Sequence, residues 1–172
     1  MHIARKSPYR LLLALLAAVG FTLLAPASPA SAALSGQFFM KNQNSGMCMD
    51  VPGGTGTWGT QLIQWPCNGG ANQNFYFDYV NGTPVLRNAA NGLCIEVPGY
   101  RTDNGAPVVQ WGCNGGENQR WYMTSQNSGV LGYYHNWTSK KCMEVADWRT
   151  DAGAPIRQWD CHFGKNQQFW NF

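Results

Sequence analysis

The chain has 172 residues, only 12% of them charged, with twelve Lys and Arg, nine Asp and Glu, six Cys and twenty Gly. Three of the basic residues fall within the first ten positions, so from residue 33 onward nine positive side chains meet nine negative ones. That neutral balance lacks the long-range field of a nucleic-acid binder and excludes that class of partner, while six Cys are too few to stand in for a hydrophobic core.

Taken in chain order, the first element is an export signal. Arg5, Lys6 and Arg10 form a basic start, and Leu11 to Leu24 is an uncharged apolar run of 14 residues. That length is short for a membrane span and right for the core of a signal peptide. Ala30, Ser31 and Ala32 supply the small residues a signal peptidase accepts, so cleavage is expected after Ala32, leaving a secreted chain of residues 33–172. An uncleaved anchor is the alternative. No later apolar run approaches membrane length, so no membrane insertion is expected.

Beyond the leader the sequence reads as strand and turn. FFMKN (38–42), PVLRN (84–88) and VLGYYH (130–135) are short runs rich in aromatic and branched residues, punctuated by SG, NG and NSG. With no helical period, strands at this spacing predict an all-β barrel or sandwich.

The strongest signal is self-similarity. Cys48, Cys94 and Cys142 each stand two residues before an acid, in CMDV, CIEV and CMEV, and the next Cys follows 19 residues on, at Cys67, Cys113 and Cys161. Then come Gln73, Gln119 and Gln167, and two residues later Phe75, Trp121 and Phe169; the copies are offset by 46 and then 48 residues. Fixed internal spacing with variable linkage marks three structural units, about 36–80, 81–126 and 127–172. Three equal copies suggest a threefold barrel, and about four strands per copy would make twelve. Six Cys allow 15 connectivities, but only pairing within each copy treats the copies alike: Cys48 with Cys67, Cys94 with Cys113, Cys142 with Cys161. A zinc site is the alternative; without a close Cys or His pair, no metal and no cofactor are expected.

Cys, then Asp or Glu, a Gly-rich turn, QW before a second Cys, and NQ with an aromatic: this order resembles the ricin B-chain type lectin family. The resemblance runs from about Gly36 to Phe172, with the family's Gln, any residue, Trp triplet written as QNF, QRW and QQF. It implies a β-trefoil that binds carbohydrate, either galactose-type sugars or xylan-like polysaccharide. Phe in two of the triplets departs from the strict motif.

A sugar offers an apolar patch of C–H bonds and a rim of hydroxyls that both donate and accept. A neutral, reversible site therefore calls for an aromatic face, a carboxylate and an amide. The carboxylate candidates are Asp50, Glu96 and Glu144, the acid that grips sugar hydroxyls in the resembled family; the alternative is a solvated turn acid. The platform candidates are Trp65, Trp111 and Trp159. Core packing is their rival, but Leu62, Val108 and Ile156 three residues earlier read as inward, which turns each Trp outward. The same alternation turns Gln64, Gln110 and Gln158 inward, requiring a buried partner or a bulge. The amide candidates are Asn72, Asn118 and Asn166, read as free to meet a hydroxyl. Gln73, Gln119 and Gln167 are read as supports that begin a strand and fasten the preceding loop. Ile63, Val109 and Arg157 stand where ricin-type sites often carry Gln, so the three sites are not equivalent.

Other features carry less. Trp58, Tyr100 and Trp148 lie in the Gly-rich turns and either border a pocket or cover the loop. GTGTWG (54–59) matches a dinucleotide fingerprint in form, but no helix follows it. His135 and His162 have no nucleophile in a motif, and acids in separate lobes do not make the facing pair of a glycosidase, so no catalysis is expected. The chain is expected to be a monomer. A protein-binding trefoil, such as an inhibitor or effector, is the rival function.

Overall fold

The computed structural model describes residues 36–126 and 130–172; the expected signal peptide lies outside them. Among the described residues twelve strands follow one another. The first copy holds β1 (Phe38–Asn42), β2 (Cys48–Asp50), β3 (Ile63–Trp65) and β4 (Asn74–Val80). The second holds β5 (Thr83–Asn88), β6 (Cys94–Glu96), β7 (Val109–Trp111) and β8 (Trp121–Gln126). The third holds β9 (Leu131–Asn136), β10 (Cys142–Val145), β11 (Ile156–Trp159) and β12 (Phe169–Asn171).

Six strands make the barrel. β1 pairs with β4, β4 with β5, β8 with β9, β9 with β12, and β12 returns to β1, all antiparallel. A bridge between Val85 and Arg120 joins β5 to β8 and completes the ring. Closure gives each barrel strand a partner on both sides among the described residues. The hairpins β2–β3, β6–β7 and β10–β11 cap the barrel, and they too close on one another. The Leu62 amide donates to Val108 (3.0 Å), Val108 to Ile156 (3.1 Å) and Ile156 back to Leu62 (2.9 Å), a ring of backbone bonds about the pseudo-threefold axis. This is the β-trefoil the sequence implied.

The core is built from triplets. Met49, Ile95 and Met143, then Leu62, Val108 and Ile156, then Phe75, Trp121 and Phe169 are all essentially inaccessible. The inward reading of Leu62, Val108 and Ile156 therefore holds. Trp121 finds a partner for its ring N–H in the Ile95 carbonyl at 2.8 Å, whereas Phe75 and Phe169 carry no polar group into the core.

The three disulfides join the expected partners, each tying the open end of one capping hairpin, opposite its turn. The inward Gln residues prove to be clasps between copies. Gln64 donates to the carbonyls of Arg149 (3.1 Å) and Asp151 (2.8 Å) in the third copy, Gln110 to Thr55 (2.6 Å) and Thr57 (2.9 Å) in the first, and Gln158 to Arg101 and Asp103 (both 3.0 Å) in the second. Carbonyls of a neighbouring copy's turn, not bulges, satisfy them. A second set, Asn42, Asn88 and Asn136, is buried and reaches the carbonyls of Asn166, Asn72 and Asn118 at 2.9 Å each, tying each barrel strand to a neighbouring NQ loop.

Candidate functional site

Each capping hairpin ends beside an acid. Asp50, Glu96 and Glu144 face Ile63, Val109 and Arg157 across the hairpin pair. They are 3%, 4% and 2% exposed, which rules out the solvated-acid reading. Buried carboxylates need donors, and the NQ loop supplies them.

In the first copy, Oδ2 of Asp50 accepts from Gln73 Nε2 (2.7 Å) and Asn72 Nδ2 (2.9 Å). Among the described residues nothing donates to Oδ1. The same Gln73 binds the Pro66 carbonyl (3.0 Å) and accepts from the Asn68 amide (2.8 Å). Gln73 thus fastens the loop as expected, and it also grips the acid, which the sequence reading missed. Gln119 repeats the pattern on Glu96 at 2.7 Å and Gln167 on Glu144 at 3.0 Å. These Gln lie in short 3-10 turns just ahead of the strand rather than beginning it. Gly70 is required by space and not by conformation: its φ of −70° suits any residue, but a Cβ would stand 2.5 Å from Asn72 Oδ1.

The Asn residues correct an expectation. They are not free: Nδ2 of Asn72 binds Asp50, Nδ2 of Asn118 binds the Val97 carbonyl (3.1 Å), and Nδ2 of Asn166 binds the Val145 carbonyl (3.1 Å). Asn118 and Asn166 are buried, each with an Oδ1 that no group among the described residues satisfies. Through Nδ2, Asn72 and Asn166 hold the acid, and all three hold the backbone carbonyl of the residue that follows it.

None of the three hairpin Trp residues belongs to the core. Trp65 is 44% exposed, and Trp111 and Trp159 are half-buried. The rim of each ring abuts a Gly from another copy: Gly153 at Trp65, Gly59 at Trp111 and Gly105 at Trp159.

The lobes differ in what covers them. The first surrounds an open cleft of about 350 Å³ formed by Asp50, Pro52, Gly53, Ile63, Trp65, Asn68 and Asn72. Asn68 is a residue the sequence reading passed over, although it follows the second Cys directly. In the second lobe, Trp58 from the first copy's turn packs on Trp111 with ring centroids 5.4 Å apart. In the third, both oxygens of Glu144 are taken: Arg157 Nε at 2.9 Å on Oε1, and Gln167 with His162 Nε2 (3.3 Å) on Oε2. The Arg157 guanidinium also lies 4.3 Å from the centre of the Trp159 ring. Gly54 in the first copy stands where Tyr100 and Trp148 stand in the others, and Trp148 stacks on His162 at 5.6 Å.

Burial raises the pKa of Asp50 above 3.8, and the Gln73 and Asn72 amides recover part of that shift. Burial likewise raises Glu96, with Gln119 opposing. His135 is pushed down by burial. Its Nδ1 sits 3.5 and 3.4 Å from the sulfurs of Cys142 and Cys161, but both are spent in a disulfide and offer no thiolate.

The profile of the ricin-type β-trefoil lectin domain matches residues 36–170. No curated protein matches the chain in sequence. Among solved structures it is similar to ThreeFoil, a designed threefold-symmetric protein, at 28% identity and a TM-score of 0.74 over 79% of this chain and 97% of that one. It is similar also to the exo-β-1,3-galactanase 1,3Gal43A of Clostridium thermocellum, at 29% identity and 0.74, over 80% of this chain but 30% of the enzyme. The earthworm R-type lectin C-half, in complex with GalNAc, shares the fold at 22% identity and 0.62, over 79% and 97%. With one matching profile spanning every copy, and the acid, indole and amide set recurring in each, the chain belongs to the ricin-type β-trefoil lectin family.

Proposed function

We propose that this chain is a secreted, non-catalytic carbohydrate-binding protein whose principal site is the cleft of the first copy. Membership of a lectin family supports a carbohydrate-binding role. The observation that carries the choice of site is the unpartnered Oδ1 of Asp50 in an open cleft with an exposed Trp65. Two amides hold Oδ2 and so fix the carboxylate, leaving Oδ1 to accept from a sugar hydroxyl while a C–H face rests on the indole. Glu96 keeps an Oε1 without a partner among the described residues and makes the second copy a weaker companion, since Trp58 covers part of its platform.

Single shallow sites of this kind bind weakly, and a Kd near 1 mM corresponds to about 4 kcal/mol. A second engaged lobe raises retention on a polymer through effective concentration. Galactose-type sugars and xylan-like polysaccharide are the ligand classes that membership of the family suggests. The test is a glycan array with residues 33–172, repeated in excess free galactose or xylo-oligosaccharide. Binding that the free sugar competes away is expected. A protein partner retained at saturating sugar, with an empty array, would instead identify a protein-binding trefoil.

A further inference from the structure

The third lobe differs from the first at four positions that touch one another. Where the first has Asp50, Gly53, Ile63 and Asn68, the third has Glu144, Asp147, Arg157 and His162. Arg157 is the direct cross-strand neighbour of Glu144, as Ile63 is of Asp50. From there its Nε binds Glu144 Oε1 at 2.9 Å, its Nη2 binds Asp147 Oδ1 at 2.8 Å, and its guanidinium plane covers Trp159. Asp147 makes this clamp from a left-handed backbone, φ 55°, where the other copies place Gly. Asp tolerates that conformation better than most non-Gly residues.

These are the contacts a sugar would make: a flat group on the indole and donors on the acid. We propose that Arg157 is a built-in occupant of the third cup, the residue that decides this lobe takes no neutral sugar. The guanidinium suits that role because it stacks and donates in one plane, and with two carboxylates against it it brings no free charge to attract an anionic sugar instead. A ligand would have to displace Arg157 and leave Glu144, only 2% exposed, without its counter-charge. The inference rests on reading these cups as sugar sites.

The test follows the indole N–H resonances of Trp65 and Trp159 in residues 33–172 during titration with lactose, GalNAc, xylotriose and a glucuronic acid-bearing xylo-oligosaccharide. In the wild type the Trp65 signal is expected to move and the Trp159 signal to stay. In Arg157→Ile, and in Arg157→Ile with Glu144→Asp, which rebuilds the first copy's pair and relieves an uncompensated acid, both signals are expected to move and the number of bound sugars to rise by one. Movement of Trp159 in the wild type, with the acidic probe or any other, would overturn the inference while leaving the sugar reading intact. So would a folded double variant in which only Trp65 responds. If neither indole responds in any of the proteins, the sugar reading itself fails and the inference falls with it.

Discussion

At the scale of single residues, Asp50 has two duties that separate cleanly. Its Oδ2 satisfies two amides of the NQ loop, and its Oδ1 remains for ligand. Asp50→Asn keeps the shape but turns the free acceptor into an amide. The loss of a charge-assisted bond is expected to weaken sugar binding by about 1.5 to 3 kcal/mol, roughly ten- to a hundredfold, with the fold intact by circular dichroism. Acid should do the same. Because burial raises the Asp50 pKa above its ordinary 3.8, the folded chain holds that proton more readily than the unfolded chain does. Ionised Asp50 therefore costs stability near neutrality, and that cost fades as pH falls through the raised pKa. Sugar binding should accordingly disappear on acidification at a pH above 3.8 while the fold persists, as parallel binding and circular dichroism titrations would reveal. The exposed ion pairs of Asp103, Asp151 and Asp160, whose pKa values are lowered, weaken in acid but contribute little. The acids and indoles were legible because they recur at fixed spacing. The double grip of Gln73 was not, since sequence gives the register of a side chain and not which of two acceptors it finds.

At the scale of elements, the capping hairpins are held by neighbours more than by themselves. Gln64, Gln110 and Gln158 each reach into the Gly-rich turn of a different copy, and that turn in turn borders the next Trp. Gln64→Ala would take the donor from the Arg149 and Asp151 carbonyls of that turn, at about 0.5 to 1.5 kcal/mol for each bond lost. Urea unfolding should show a lower midpoint, and hydrogen exchange should quicken at residues 149–153, far from the substitution in sequence. The sequence implied that these Gln residues point inward, from Leu62 and its equivalents. It could not name the partners, because the contacts are contributed by another copy at a separation of more than fifty residues. Asn42, Asn88 and Asn136 carry the same 46 and 48 offsets as the Cys and were legible in principle. Their position at strand ends made them look like ordinary turn residues. Asn136 also lies in a glycosylation sequon, yet its side chain is buried and bonded.

At the scale of the whole molecule, triplication sets the fold and then frees the copies to diverge. The barrel, the ring of Leu62, Val108 and Ile156 and the disulfides are common to all three. Converting Cys94 and Cys113 together to Ser should lower stability by about 3 kcal/mol in chemical denaturation, the loop-closure value for a loop of this length. The number of copies, their pairing and the β-trefoil were readable from spacing and from the family resemblance. The inequality of the lobes was only partly so: Arg157 stood out as a departure, but that it stacks on Trp159 and bonds both Glu144 and Asp147 is a three-dimensional fact. The central claim is that one lobe carries most of the sugar binding, and calorimetric titration of a ligand found on the array, into the wild type, Asp50→Asn and Glu144→Gln, addresses it most directly. The expected result is a loss of at least tenfold in Asp50→Asn and none beyond error in Glu144→Gln. Equal losses in the two variants, or an unchanged affinity in Asp50→Asn, would contradict the account.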